Sequence, residues 1–190
     1  MLWQTLGRER TEEDMNEHVN GRLLALLRAC GVSLALGLAG NAGTALAQDA
    51  TYSVKLLTPE IALKLARATL DACRKEGFQV SVAVTDRFGV TQVLLRDRYA
   101  GAHTVEAATN KAWTAVSFRQ DTLGLAKATM DPAASGLRHF GRVIALGGGV
   151  PVEAGGSILG AVGVSGGPGG EADDRCARAG LDAIKDDISF

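Results

Sequence analysis

Residues 103–119 read HTVEAATNKAWTAVSFR, and four of them could do chemistry. His103 stands at the expected start of a helix, after the loop Tyr99-Ala100-Gly101-Ala102, where an imidazole can reach a ligand. Thr104 beside it can cap that helix or lend a weak oxygen contact. Lys111 and Arg119 are eight residues apart, close to two helical turns, so a helix places them on one face. Two cations on one face can hold a carboxylate. Lys111 also sits in a stripe otherwise rich in Ala and Val, which leaves a second role open, pairing with an acid in the core. His139 falls in a less regular segment, and Arg96 and Arg98 flank Asp97 as expected surface charges, with contact to the carboxylates of a ligand as their alternative. A zinc centre wants three or four His, Cys or carboxylate ligands, and no such spacing occurs.

Two further motifs resemble known chemistry and fail on context. Gly163-Val164-Ser165-Gly166-Gly167 matches the G-x-S-x-G nucleophile elbow, but no histidine follows Ser165 in the chain. The turn GVSGGPGG precedes a helix, as phosphate loops do. It lacks the Lys-Ser/Thr of a P-loop, and no strand follows that helix to complete a dinucleotide fold. Its glycines are expected to serve a sharp turn and close backbone approach.

The elements that carry these residues follow from periodicity and punctuation. Thr58-Pro59-Glu60 opens a helix with Ile61, Leu65, Ala68 and Ala72 inward, stopped by Gly77. Val80 to Asp86 and Val90 to Arg96 form a hairpin about Arg87-Phe88-Gly89. His103 to Phe118 is a helix with a small-residue face. Gln120 to Arg142 holds one or two short helices broken at Asp131-Pro132. Val143 to Leu146 is predicted as a short strand. Val150-Pro151-Val152 is a strand at an edge or with a bulge, because proline cannot donate to a ladder. Ile158 to Val164 is a central strand. Glu171 to Asp187 is the last helix, with Ala172, Cys176, Ala179, Ala183 and Ile184 inward. Hairpins without regular βαβ alternation predict an antiparallel sheet covered by helices, an α+β domain.

Ahead of this domain, Leu23 to Leu38 reads LLALLRACGVSLALGL, followed by Ala45-Leu46-Ala47. Basic residues, an apolar run and small residues at −3 and −1 are the grammar of a secretory signal. Residues 1–47 are therefore expected to be a leader cleaved after Ala47. Met15 is a plausible true start, and residues 48–57 a linker to a single domain over 58–190. The uncharged run is shorter than the ~20 residues of a membrane span, so no stable anchor is expected after cleavage. The remaining chain has 16 Lys and Arg against 16 Asp and Glu. That neutrality, with aromatics at 5%, excludes a basic nucleic-acid platform. Cys73 and Cys176 are left as either a disulfide of an oxidising compartment or two buried apolar groups.

Gly148-Gly149-Val150-Pro151-Val152, Gly160-Ala161-Val162-Gly163-Val164-Ser165-Gly166 and the acidic helix start at Asp173 together resemble the GlcG/HbpS family. VSVAVTDRFG is similar to that family's first hairpin and KAWTAVSFR to its central helix, so the resemblance covers Thr58 to Ile184. It implies a profilin-like fold, a five-stranded antiparallel sheet with helices on its faces, and a homo-oligomer from dimer to octamer. It also implies a periplasmic or extracellular heme-binding protein for sensing, storage or protection. His103 is then the candidate iron ligand, with Thr104, Lys111 and Arg119 around the cofactor. Two alternatives remain open at this level. One is an enzyme or accessory protein acting on a small organic acid held by Lys111 and Arg119, although no catalytic constellation stands out. The other is a ring-forming structural module without a small ligand.

Overall fold

The computed structural model describes residues 50–189. The expected leader, its cleavage after Ala47 and the alternative start at Met15 lie outside the described residues.

Helix α1 spans Pro59–Lys75. Thr58 is extended, and its Oγ1 accepts from Ile61 N at 3.4 Å. Pro59 fills the first helical position, where a missing N–H costs nothing. Its buried side is Ala62, Leu65, Ala66, Thr69, Leu70 and Cys73, a stripe centred about one residue beyond the expected one. The helix packs on the last helix as well as on the sheet, which turns it toward both.

Strands β1 (Ser81–Asp86) and β2 (Thr91–Arg96) form the expected hairpin. Asp86 Oδ1 closes its turn by accepting from Phe88 N and Val90 N at 2.8 and 3.0 Å. Helix α2 (His103–Phe118) follows, then the short α3 (Thr122–Ala128) and a 3-10 turn at Ser135–His139. Strands β3 (Gly149–Ala154) and β4 (Ser157–Ser165) form a second hairpin, and α4 (Gly170–Asp182) completes the domain. The sheet order is β2-β1-β4-β3, antiparallel throughout. The α+β fold stands as expected. Pro151 lies on the edge strand β3, whose register slips between Val152 and Glu153.

The described sheet has four strands, not five. The predicted strand over Val143 to Leu146 is a loop because side chains take its backbone groups. Ile144 N donates to Thr114 Oγ1 at 3.1 Å, and Leu146 O accepts from Thr122 Oγ1 at 2.7 Å. Helices α2 and α3 thus satisfy a segment that would otherwise need a ladder partner.

The two faces of the sheet differ in kind. Val82 and Val84 of β1, Val162 and Val164 of β4 and Val150 and Val152 of β3 join Leu65, Leu70, Cys176 and Ile184 in the main core under α1 and α4. The opposite face is built from small residues under Ala108, Ala112 and Ala115 of α2. A Cβ on Gly163 would collide with the Ala108 carbonyl and Ala112 N, so α2 lies directly on β4.

Cys73 of α1 and Cys176 of α4 form a disulfide, with Cα atoms 5.3 Å apart. The last helix is phased differently from its expected stripe. Ala177 and Gly180 face inward, whereas Ala179 and Ala183 are exposed. Gly180 is the contact that sets this phase, since a Cβ there would run into Thr69 Oγ1. The same rotation turns Asp173 inward.

Candidate functional site

The loop from Asp97 to Ala102 aims the start of α2. Asp97 is buried, and Arg74 grips it with both ends of its guanidinium, Nε to Oδ2 at 2.8 Å and Nη2 to Oδ1 at 3.0 Å. These bonds outweigh the cost of burial and hold the Asp97 carboxyl at about 2, below its ordinary 3.8. Arg98 N adds a bond to Oδ1 at 2.8 Å. Arg96 Nε donates to Ala100 O at 2.9 Å, and its Nη2 reaches the same oxygen. Arg96 is thus a clasp on the loop as well as the surface charge expected. Thr104 closes the other end. Its hydroxyl donates to Gly101 O at 2.6 Å and lies 2.8 Å from Ser81 Oγ on β1.

His103 is the first residue of α2, exposed, and its ring makes no hydrogen bond among the described residues. It opens on a cavity of about 800 Å³. Thr104 and Lys111 line the same cavity, so one helix brings three of the predicted residues to one place. Phe78, Tyr99, Ile144 and Leu146 supply apolar wall. The loop that replaced the fifth strand is therefore the segment that gives the cavity Ile144 and Leu146.

Lys111 is fully buried at the cavity floor. Its Nζ donates to Val164 O at 2.9 Å and to Asp173 Oδ2 at 2.7 Å. The other carboxylate oxygen, Oδ1, accepts from Gly167 N at 2.8 Å. A buried amine and carboxylate that bond each other and the backbone satisfy the condition for tolerating charge inside a protein. The pairing with a core acid that the sequence left open is the one observed. Asp173 was visible in the sequence only as an acidic helix start. Its spacing to Cys176, Ala177 and Gly180 is helical, and that is the signal that would have turned it inward.

The glycine turn lines the cavity with Gly166, Gly167 and Gly169. Its amide at Gly167 serves Asp173, so the turn braces the buried pair. Ser165 is on the wall, and its hydroxyl makes no hydrogen bond among the described residues.

Arg119 is not brought to this cavity. It ends α2 in a left-handed conformation (φ 54°) and lines a different cleft of about 350 Å³ with Arg87 and Glu153. The shared face expected for Lys111 and Arg119 is lost because Lys111 turns into the core while Arg119 leaves the helix axis. His139 ends the 3-10 turn and is exposed, away from the lining of the cavity. No cluster of three or more His, Cys, Asp or Glu able to hold a metal ion occurs among the described residues.

Comparison with known proteins agrees with this architecture. Residues 57–182 match the family model described as haem degrading protein HbpS-like. A crystal structure of a double mutant of HbpS from Streptomyces reticuli is 40% identical, covers 74% of this chain and 94% of its own, and superposes with a TM-score of 0.68. The ORFY protein of Klebsiella pneumoniae is 31% identical over 73% of this chain and 97% of its own, with a TM-score of 0.69. A heme complex of PduOC is 30% identical over 68% and 95%, with a TM-score of 0.64. With its fold, its glycine-bearing strands and two thirds of its length matching, the chain belongs to the GlcG/HbpS family.

Proposed function

We propose that this chain is an exported heme-binding protein that holds the tetrapyrrole in the 800 Å³ cavity, with His103 as the iron donor. The observation that carries this reading is one juxtaposition: an imidazole with no hydrogen bond among the described residues opens on a cavity walled by Phe78, Tyr99, Ile144 and Leu146. When bound, heme supplies an iron that accepts one imidazole nitrogen, a flat apolar macrocycle and two carboxylates. The residues fit each part. His103 offers the nitrogen, the apolar wall covers the ring, and Lys111 has one of its three N–H donors beyond those on Val164 O and Asp173. Thr104 holds the start of α2 in place through Gly101 O and Ser81. The volume is within the range of cofactor pockets, roughly 300–1,000 Å³. The heme complex of PduOC supports the assignment. Arg119 opens on another cleft and is left out of this ligand set. A small-acid clamp of Lys111 with Arg119 loses its geometric basis for the same reason.

Export to the periplasm or beyond is supported by the leader-like sequence and by the Cys73–Cys176 disulfide, since such bonds persist in oxidising compartments. N-terminal sequencing of the exported chain should begin at Gln48; a retained leader on the exported protein contradicts cleavage after Ala47. A homo-oligomer is the further part of the reading, supported by exposed Phe88, Val90 and Leu94 along the hairpin of edge strand β2. Light scattering that returns a monomer mass removes it.

Hemin titration tests the central assignment. Wild type should give a Soret shift that saturates at one heme per chain. His103→Ala should displace that band and weaken binding. Equal spectra and affinities for the two proteins would remove His103 from the iron, because heme adheres to many apolar surfaces without a specific donor.

A further inference from the structure

Gly101 lies two residues before His103, and its missing side chain is filled by the imidazole. A Cβ built on Gly101 would stand 2.7 Å from His103 Cε1 and 2.9 Å from Nδ1, closer than real contacts allow. Nε2 is next, at 3.8 Å. The ring therefore rests on the bare Cα of Gly101 with its Nδ1 edge inward, and Nε2 is the nitrogen held farther from the chain. Nothing in the backbone requires glycine here, because Gly101 is not among the residues with positive φ. The requirement is for space alone.

The surface under the ring is itself fixed. Gly101 O accepts from both Thr104 N (3.0 Å) and Thr104 Oγ1 (2.6 Å). Ala100 O, one residue earlier, accepts from the Arg96 guanidinium. Arg74 holds Asp97 at the loop's start. A segment of six residues, pinned at 97, 100 and 101, thus presents a flat glycine to an imidazole that has no hydrogen bond to orient it among the described residues. A histidine that binds metal ordinarily has its ring direction set by a bond from its second nitrogen. Here packing takes that part.

We infer that Gly101 is a positioning residue, whose missing Cβ sets the direction in which His103 presents Nε2 to the cavity. The inference rests on the heme reading for its use, but the ring contact can be tested without heme. In the unliganded protein the ring current of His103 should shift the two Gly101 α protons away from their usual NMR positions. His103→Ala should abolish the shift. Unshifted α protons in wild type would overturn the contact itself.

With hemin, Gly101→Ala should weaken binding about ten-fold or more, the range found for groups that orient metal ligands, and should change the Soret band. Circular dichroism and melting temperature should stay at wild-type values, since the backbone accepts alanine. In a His103→Ala background the same Gly101→Ala change should do nothing, because residues acting through one another are not additive. Wild-type affinity and spectrum in Gly101→Ala would overturn the positioning role while leaving His103 as ligand. An equal loss in both backgrounds would overturn it as well, showing a structural effect. Wild type and His103→Ala binding hemin alike would remove His103 from the iron, and the positioning role with it.

Discussion

Lys111 Nζ lies 2.7 Å from Asp173 Oδ2 inside the protein, tying the middle of α2 to the first turn of α4 across the end of β4. The side chains are 1% and 4% exposed, so neither charge can fall back on water when the other is removed. Lys111→Met or Asp173→Ala alone should destabilise the fold by about 3–5 kcal/mol, the usual result of leaving one member of a buried pair. The double variant Lys111→Met/Asp173→Ala should cost clearly less than the two single changes added together. Urea denaturation of the four proteins measures this, and simple additivity would contradict the coupling.

The Cys73–Cys176 bond closes a loop over a sequence separation of 103 residues and fastens α1 to α4 one turn beyond Asp173. Chain-entropy reasoning gives up to about 4.7 kcal/mol for a loop of that size, with typical measured values of about 2–4 kcal/mol. Cys73→Ala/Cys176→Ala should lower the unfolding free energy within that range in non-reducing buffer. Thiol titration of the unfolded, non-reduced wild type should find neither cysteine free. Two titratable thiols there would contradict the pairing.

Acid should loosen the loop that carries His103. The Arg74 bonds and Arg98 N hold Asp97 at about 2 in the folded chain against an ordinary 3.8. A carboxyl whose folded value is depressed binds fewer protons in the native state. Its contribution is complete above about pH 4 and is lost as the pH falls toward 2. The urea midpoint of wild type should therefore fall over that window, and Asp97→Asn should start lower and fall less steeply. Parallel curves for the two proteins would contradict the assignment.

The elements that were legible in the sequence are those whose signals are local. Thr58-Pro59-Glu60 marked the start of α1, and Arg87-Phe88-Gly89 the first hairpin turn. Pro151 announced an edge strand because its missing N–H is a property of one residue. What escaped was set by partners distant in the chain. Residues 143–146 have the composition of a strand, but Thr114 and Thr122 hold their backbone instead. Ala179 and Ala183 fit an apolar stripe that Gly180 against Thr69 rotates away. Of the candidate residues, His103, Thr104 and Lys111 share one helix and line one cavity. Arg119 was placed with them by helical arithmetic, which ends where the helix does. Asp173 carried one sign, its helical spacing to Cys176, Ala177 and Gly180, while Arg96 had none, since its partner is a loop carbonyl.

The seat of α2 on β4 gives a last prediction that bears on the site through packing alone. Gly163 faces α2 so closely that a Cβ would overlap the Ala108 carbonyl and Ala112 N and come within 3.0 Å of Ala112 Cβ. Two of these are backbone atoms of a helix, which cannot turn aside as a side chain can. Gly163→Ala must then lift α2 from the sheet, and overpacking of this kind costs about 1–3 kcal/mol. Gly141 is a suitable control, because a Cβ there meets nothing within 4 Å and its φ is not positive. Gly141→Ala should leave the unfolding free energy within about 0.5 kcal/mol of wild type. Lifting α2 also moves Lys111 and His103 together, so Gly163→Ala should weaken hemin binding while Gly141→Ala leaves it unchanged. A Gly163→Ala protein with wild-type stability would show that α2 does not lie against β4 at this point, and the position of the cavity floor would have to be drawn again.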